Sequence, residues 1–133
     1  MSQGVPPSAL RSPASGGFAW NVLPAFLWTL GIFIGASGGV PHPPVDMPFG
    51  FDKFEHAGAF LGLQFLSYRA LRYGLPDFGR VSLRWLGAVA SVFAGIALEV
   101  YQAGLPDRSA EVQDVIADAI GATIGALLLK FWV

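Results

Sequence analysis

The chain has 133 residues, 53% of them apolar and only 13% charged, with a mean hydropathy of +0.54, whereas soluble domains run near a quarter charged. That excludes an ordinary water-facing surface. Spans of about 20 residues each would consume most of the length and leave no room for an extramembrane catalytic domain. The absence of cysteine excludes a disulfide framework, a thiol nucleophile and Cys-ligated zinc or iron–sulfur sites, and leaves the redox compartment open. A net charge of −1 is less informative than where the charges fall.

Residues 1–17, MSQGVPPSALRSPASGG, are rich in Pro, Ser and Gly, carry Arg11 alone as a charge, and lack the apolar periodicity of a core; a disordered tail is expected. From Phe18 to Ala36 the chain is uncharged and long enough to cross a hydrocarbon layer. A signal peptide is the rival reading, because Arg11 precedes the run and Gly35, Ala36 and Ser37 are small. The run exceeds the roughly 7 to 15 residues of a signal core, which favours a span. Prolines 41, 43, 44 and 48 then mark an exposed loop from Val40 to Asp52, in which His42 is expected to be solvated.

A second span begins at Lys53 and is the weakest, interrupted by Glu55, His56, Gln64 and Arg69. A turn-rich connector, Gly74 to Ser82, leads to a third span over Trp85–Ala103 that carries Glu99 and Gln102 near its end. After GLPDRS, a fourth span runs from Val112 to Phe131 with Asp114 and Asp118 in its first turns. The expected fold is therefore all-α, a polytopic bundle of four transmembrane helices over residues 18–133.

Topology follows from the basic residues. With a cytoplasmic tail, the inner side holds Arg11, Arg69, Arg72, Arg80, Arg84 and Lys130 against Asp77. The outer side holds Lys53 and Arg108 against Asp46, Asp52, Glu55, Glu99, Asp107, Glu111, Asp114 and Asp118. This positive-inside pattern predicts a multi-pass protein with both termini cytoplasmic. Trp20, Trp85, Trp132, Tyr68 and Tyr73 would then lie near the inner interface, where aromatic rings anchor helices.

The same topology gathers polar residues from remote segments at the outer end. Asp52 and His56 are four apart, on a face continued by Ala59, Phe60 and Leu63. Glu99 and Gln102 share a face with Gly95 and Ala88, and Asp114, Asp118, Gly121 and Gly125 form one stripe. Small residues at this spacing let membrane helices approach closely, so Gly95, Gly121 and Gly125 are assigned to packing. Gly58-x-x-x-Gly62 and Gly31-x-x-x-Gly35 qualify on the same grounds. Acids about one turn inside a span should face inward and be partnered. Lys53, Arg108 and His56 are the available cations, and the excess of acid predicts that some carboxyls hold a proton or bind an external cation.

These residues resemble the VanZ-like family. The resemblance rests on Asp52-Lys53-x-x-His56 opening a helix, Glu99-x-x-Gln102 closing the next, Pro106-x-Arg108-Ser109, and Asp114-x-x-Ala117-x-x-x-Gly121. It covers about 52–129, with the preceding span fitting the family's usual first helix. Two positions depart from the pattern: Asp107 stands where Gly is usual, and Asp118 where Asn is usual. Ionised Asp accepts hydrogen bonds and cannot donate them. The family is named for a bacterial protein associated with resistance to the glycopeptide teicoplanin. The resemblance implies a protein of the bacterial cytoplasmic membrane but supplies no mechanism; resistance would be consistent with an outward-facing polar site near cell-wall precursors or lipid headgroups.

Other classes are weighed against that reading. Ser109, His56 and Asp114 could assemble a Ser-His-Asp arrangement, but Ser109 is better explained as the N-cap of the fourth span. His56, Asp52, Glu99, Asp114 and Asp118 offer nitrogen and oxygen ligands for metal-assisted hydrolysis. A single clustered histidine and no cysteine argue against zinc, so no metal and no cofactor is assigned. For a transporter, the acids stop too early along the helices to form a pathway. Dispersed basic residues explained by topology exclude nucleic acid as a partner. The expected site is a polar pocket of Asp52, Lys53, His56, Glu99, Gln102, Arg108, Asp114 and Asp118. Its expected partners are membrane lipids and a cell-wall precursor or glycopeptide, with a structural ion-pair network as the alternative, and a homo-oligomer is compatible with it.

Overall fold

A computed structural model describes residues 17–39, 51–106 and 108–132. All regular structure among them is helical: α1 (Phe18–Asn21), α2 (Leu23–Ile34), α3 (Phe51–Gly74), α4 (Arg80–Ala103) and α5 (Val112–Trp132). The tail up to residue 16, the proline-rich loop with His42 and Asp46, and Asp107 lie outside the described residues.

The core is a bundle of three helices, α3, α4 and α5, each packed along the other two. Short connectors make successive helices antiparallel, so the start of α3, the end of α4 and the start of α5 meet at one end. Phe60, Leu63 and Leu98 form the apolar cluster nearest that end. Ala88, Ala122 and Ala126 occupy the middle, and Tyr68, Leu83 and Leu129 close the other end. The middle layer is made of small side chains because the backbones approach there. A Cβ added at Gly121 would run into the Ala57 carbonyl, and one at Gly125 would lie 2.8 Å from Gln64 Cγ.

The first apolar run is not one continuous helix of the core. It breaks at Val22 into α1 and α2. Pro24 explains the break, since it offers no N–H to the preceding turn and its ring crowds the carbonyl four residues back. No residue of α2 is fully buried, so this helix flanks the bundle instead of sharing its core. Trp28 joins it to α3: the indole Nε1 donates to the Ala59 carbonyl at 2.9 Å, and the ring fills the space above Gly62, where a Cβ would meet it at 2.9 Å. Phe33 adds a tilted contact to Tyr101 of α4 at 5.5 Å. Beyond Ile34 a π-helical turn, Gly35–Gly39, ends the run, with Gly38 at φ 84° in the left-handed region that favours glycine.

The second span is weak in hydropathy for a structural reason. α3 has 24 residues, about 36 Å at 1.5 Å per residue, and two of its four interrupting polar groups, His56 and Gln64, are turned toward α5 and α4, while Glu55 is exposed and Arg69 reaches α1. Gln64 is fully buried and His56 partly so. α4 and α5 are long and apolar enough to cross a membrane. Their surfaces invert the soluble pattern. On α5 the buried set is Asp114, Ala117, Asp118, Gly121, Ala122, Gly125, Ala126 and Leu129, while Ile116, Ile120, Ile124, Leu127, Leu128 and Phe131 are exposed. Large aliphatic groups outside and small or ionisable ones inside suit acyl chains as solvent.

The aromatic belt differs at one position. Trp20, Trp85, Trp132 and Tyr73 are exposed at the end opposite the acids, but Tyr68 is buried against Leu83 and Leu129. The Arg69 guanidinium lies 5.0 Å over the Trp20 ring and its Nε donates to Asn21 Oδ1 at 3.4 Å, tying α1 to α3.

Candidate functional site

The acidic end of the bundle is organised around two bases on the first two turns of α3. Lys53 Nζ meets Asp52 Oδ2 at 2.9 Å, Glu111 Oε2 at 2.8 Å, and Asp114 Oδ1. One turn further, His56 Nδ1 stands 2.8 Å from Asp118 Oδ1, and its Nε2 is 3.6 Å from Asp114 Oδ2. Asp114 thus touches both bases, because it and Asp118 occupy successive turns of α5 facing successive turns of α3. From α4, Glu99 Oε2 accepts the backbone N–H of Glu111 at 2.8 Å. Gln102 Nε2 donates to the Ala36 carbonyl at 3.4 Å, bringing the π-helical turn onto the end of α4.

Burial grades the site. Asp52 and Glu111 are exposed and Lys53 partly so, whereas Glu99 is 5% and Asp118 0% exposed. Gly95 makes room for the deepest carboxylate, since a Cβ there would stand 2.6 Å from Asp118 Oδ2. His56, Glu99 and Asp118 each offer a potential metal-ligand atom, all within 4.8 Å of one another, and so do Asp52, Glu111 and Asp114. Five acids share two bases here, which makes the cluster electron-rich even with every short contact formed.

Above these groups lies a cavity of about 410 Å³ between α2, the π-helical turn, α3 and the α4–α5 connector. Its polar wall includes Asp52, Glu55, His56, Gln102, Arg108, Glu111 and Asp114; its apolar wall is Ile32, Ala36, Ala59, Phe60 and Leu98 with Gly31 and Gly35. A separate apolar crevice of about 630 Å³ runs along α2, lined by Pro24, Leu27, Trp28, Gly31, Ile32 and Leu66. The two share Gly31 and Ile32.

All eight residues expected in the pocket therefore converge on one end, with different roles. Asp52, His56, Gln102, Arg108 and Asp114 line the cavity, while Glu99 and Asp118 lie behind it. Arg108 approaches the π-helical turn: a Cβ at Gly38 would be 3.6 Å from its Nη2. It forms no ion pair among the described residues. Ser109 is not the cap of the last helix, because α5 starts at Val112; it lines the cavity instead. No hydrogen bond joins Ser109 to His56 among the described residues, and His56 Nδ1 is directed to Asp118 in place of the Asp114 that the triad would need.

Some participants were not singled out from the sequence. Glu111 supplies a carboxylate to Lys53 and its own N–H to Glu99, and its place just before α5 was the available signal. Glu55, beside His56 on α3, lines the cavity. Gly31 and Gly35 were read as packing glycines, yet nothing lies within 4 Å of a Cβ at either, nor at Gly58; the first two widen the cavity. Gln64 and Ser91 are buried at mid-bundle, with Gln64 Nε2 donating to the Arg84 carbonyl at 2.8 Å.

No curated protein and no solved structure matches the chain. The family model described as VanZ/LLP1 matches residues 51–133, which takes in α3, α4, α5 and every side chain of the acidic end. With more than half of its length matched, and the matched part forming the bundle, the chain belongs to the VanZ/LLP1 family.

Proposed function

We infer that the protein recognises a cell-envelope component, a lipid headgroup, cell-wall precursor or glycopeptide, at the acidic end of its bundle. The carrying observation is that a polar cavity and an apolar crevice lie against the same stretch of α2 and share Gly31 and Ile32 in their linings. A ligand with a polar head and a hydrocarbon tail matches that division: the head meets Arg108, His56 and the carboxylates, and the tail lies along Trp28 and Leu66. The acid excess favours heads that bring hydrogen-bond donors or positive charge, such as amines and sugar hydroxyls, with Arg108 as the contact for an anionic group.

In this reading the chain is a multi-pass protein of the bacterial cytoplasmic membrane with both termini cytoplasmic and the cavity outward. The skew of Arg and Lys toward the α3–α4 connector supports that orientation. A contribution to glycopeptide resistance would follow from sequestering or shielding such a component.

Native mass spectrometry of protein extracted with its lipids tests the reading. A retained lipid-linked species that is lost in Arg108→Ala, with the fold intact, is the expected result. Retention of bulk phospholipid alone, unchanged by Arg108→Ala, would overturn it and leave the ion-pair network as a structural element.

A further inference from the structure

Two carboxylates between α3, α4 and α5 keep an oxygen that nothing satisfies. Glu99 Oε1 and Asp118 Oδ2 find no hydrogen-bond donor among the described residues, although their residues are 5% and 0% exposed. Buried polar atoms are nearly always paired, and buried charge without a partner is strongly disfavoured. The nearby cations do not meet this need. Lys53 is enclosed by Asp52, Glu111 and Asp114, Arg108 pairs with no described residue, and His56 can neutralise one carboxylate at most.

We propose that His56, Glu99 and Asp118 bind one divalent first-row transition cation at the meeting point of the three helices. Their potential ligand atoms lie within 4.8 Å of one another. His56 Nδ1 and Asp118 Oδ1, at 2.8 Å, are already near the roughly 3 Å that separates neighbouring ligands bonded to one ion at about 2.0–2.2 Å. Glu99 supplies the third ligand through Oε1, the oxygen that the Glu111 N–H leaves free. The ion replaces the proton shared between His56 Nδ1 and Asp118, and its two positive charges cancel the two carboxylates with the imidazole neutral.

The surroundings fit a metal-bound histidine. With Nδ1 on the ion, Nε2 carries the proton and faces Asp114 Oδ2 at 3.6 Å, just beyond hydrogen-bond distance and on the side where a carboxylate–histidine–metal arrangement places its acceptor. An imidazole with two carboxylates selects zinc, manganese, iron or cobalt over calcium and magnesium, which favour all-oxygen sites. The second acidic group, Asp52, Glu111 and Asp114, already surrounds an ammonium and so holds a cation of its own. The inference concerns the floor of the cavity and does not rest on what fills the cavity above.

Cobalt titration of the full chain, purified in detergent without a histidine tag and treated with EDTA, reads the site through visible absorption. One equivalent of Co²⁺ per chain, displaced by Zn²⁺, is expected. Glu99→Gln and Asp118→Asn should weaken binding about tenfold or more. Absence of saturable binding, or binding lost on Asp52→Asn and untouched by Glu99→Gln and Asp118→Asn, would overturn the proposal. A second measurement needs no variant: one equivalent of Zn²⁺ should raise the thermal midpoint of EDTA-treated wild-type protein, and identical midpoints with and without it count against the site. Neither readout depends on a bound lipid, so failure of the metal site is distinguishable from failure of lipid binding.

Discussion

Glu99 on α4 accepts the backbone N–H of Glu111 at 2.8 Å, so the last turns of one membrane helix satisfy a free amide at the entrance to the next. The α4–α5 connector is thereby fastened from inside the bundle, and Glu111 is positioned to reach Lys53 on α3. One carboxylate links the geometry of all three helices.

Replacing Glu99 separates its charge from its role as an acceptor. Glu99→Ala leaves the Glu111 amide without its partner and should destabilise by about 1–3 kcal/mol. Glu99→Gln retains an acceptor oxygen and should lose about 1 kcal/mol or less. Unfolding followed by circular dichroism in a denaturing-detergent titration measures both.

Lys53 is the hub of the exposed half of the network. Lys53→Met removes the counter-ion of Asp114, which is largely buried, and should destabilise by about 1–3 kcal/mol, below the 3–5 of a fully buried pair because the lysine remains partly solvated. Asp52→Asn, at an exposed position, should change stability by about 1 kcal/mol or less. The same titration, extended to the double variant, gives the coupling energy.

Two glycines on facing helices should respond in opposite senses. Gly121→Ala forces a methyl into the Ala57 carbonyl and should cost about 1–3 kcal/mol or prevent assembly. Gly58→Ala meets open space and should stabilise α3 by up to about 1 kcal/mol through helix propensity. Midpoints of thermal aggregation for the two variants rank them directly.

Because the chain has no native cysteine, orientation can be read with single reporters. Phe78→Cys in the α3–α4 connector should be labelled by an impermeant maleimide only after lysis. Ser109→Cys should be labelled in intact spheroplasts. Labelling of both from the same side would contradict the outward placement of the acidic end.

The polar faces were legible in the sequence because helical geometry is local: residues three or four apart must share a side, whatever the packing. Asp52 with His56, Glu99 with Gln102, and Asp114 with Asp118 and Gly121 could be grouped without knowing any contact. Partner choice was not legible, since it depends on the axial offset between helices. That offset gives His56 to Asp118, directs Lys53 to Asp114 and Glu111, and leaves Arg108 beside the π-helical turn. Gly31 and Gly35 show the same limit. Their spacing is that of a packing motif, but Pro24 breaks the helix below them and Trp28 sets its distance from α3, so the glycines border space in place of a neighbour. The low hydropathy of α3 reflects in part His56 and Gln64, which its packing turns inward.

The wall of the cavity contributed by α2 is the part of the molecule on which the rest depends least. That helix has no fully buried residue and is held by the Trp28 indole, the Phe33 contact and the Gln102 amide. Displacing it would open the cavity sideways while α3, α4 and α5 kept the carboxylates in register. On the proposed function, a bulky amphiphile would therefore enter from within its own leaflet, without first leaving the membrane for water.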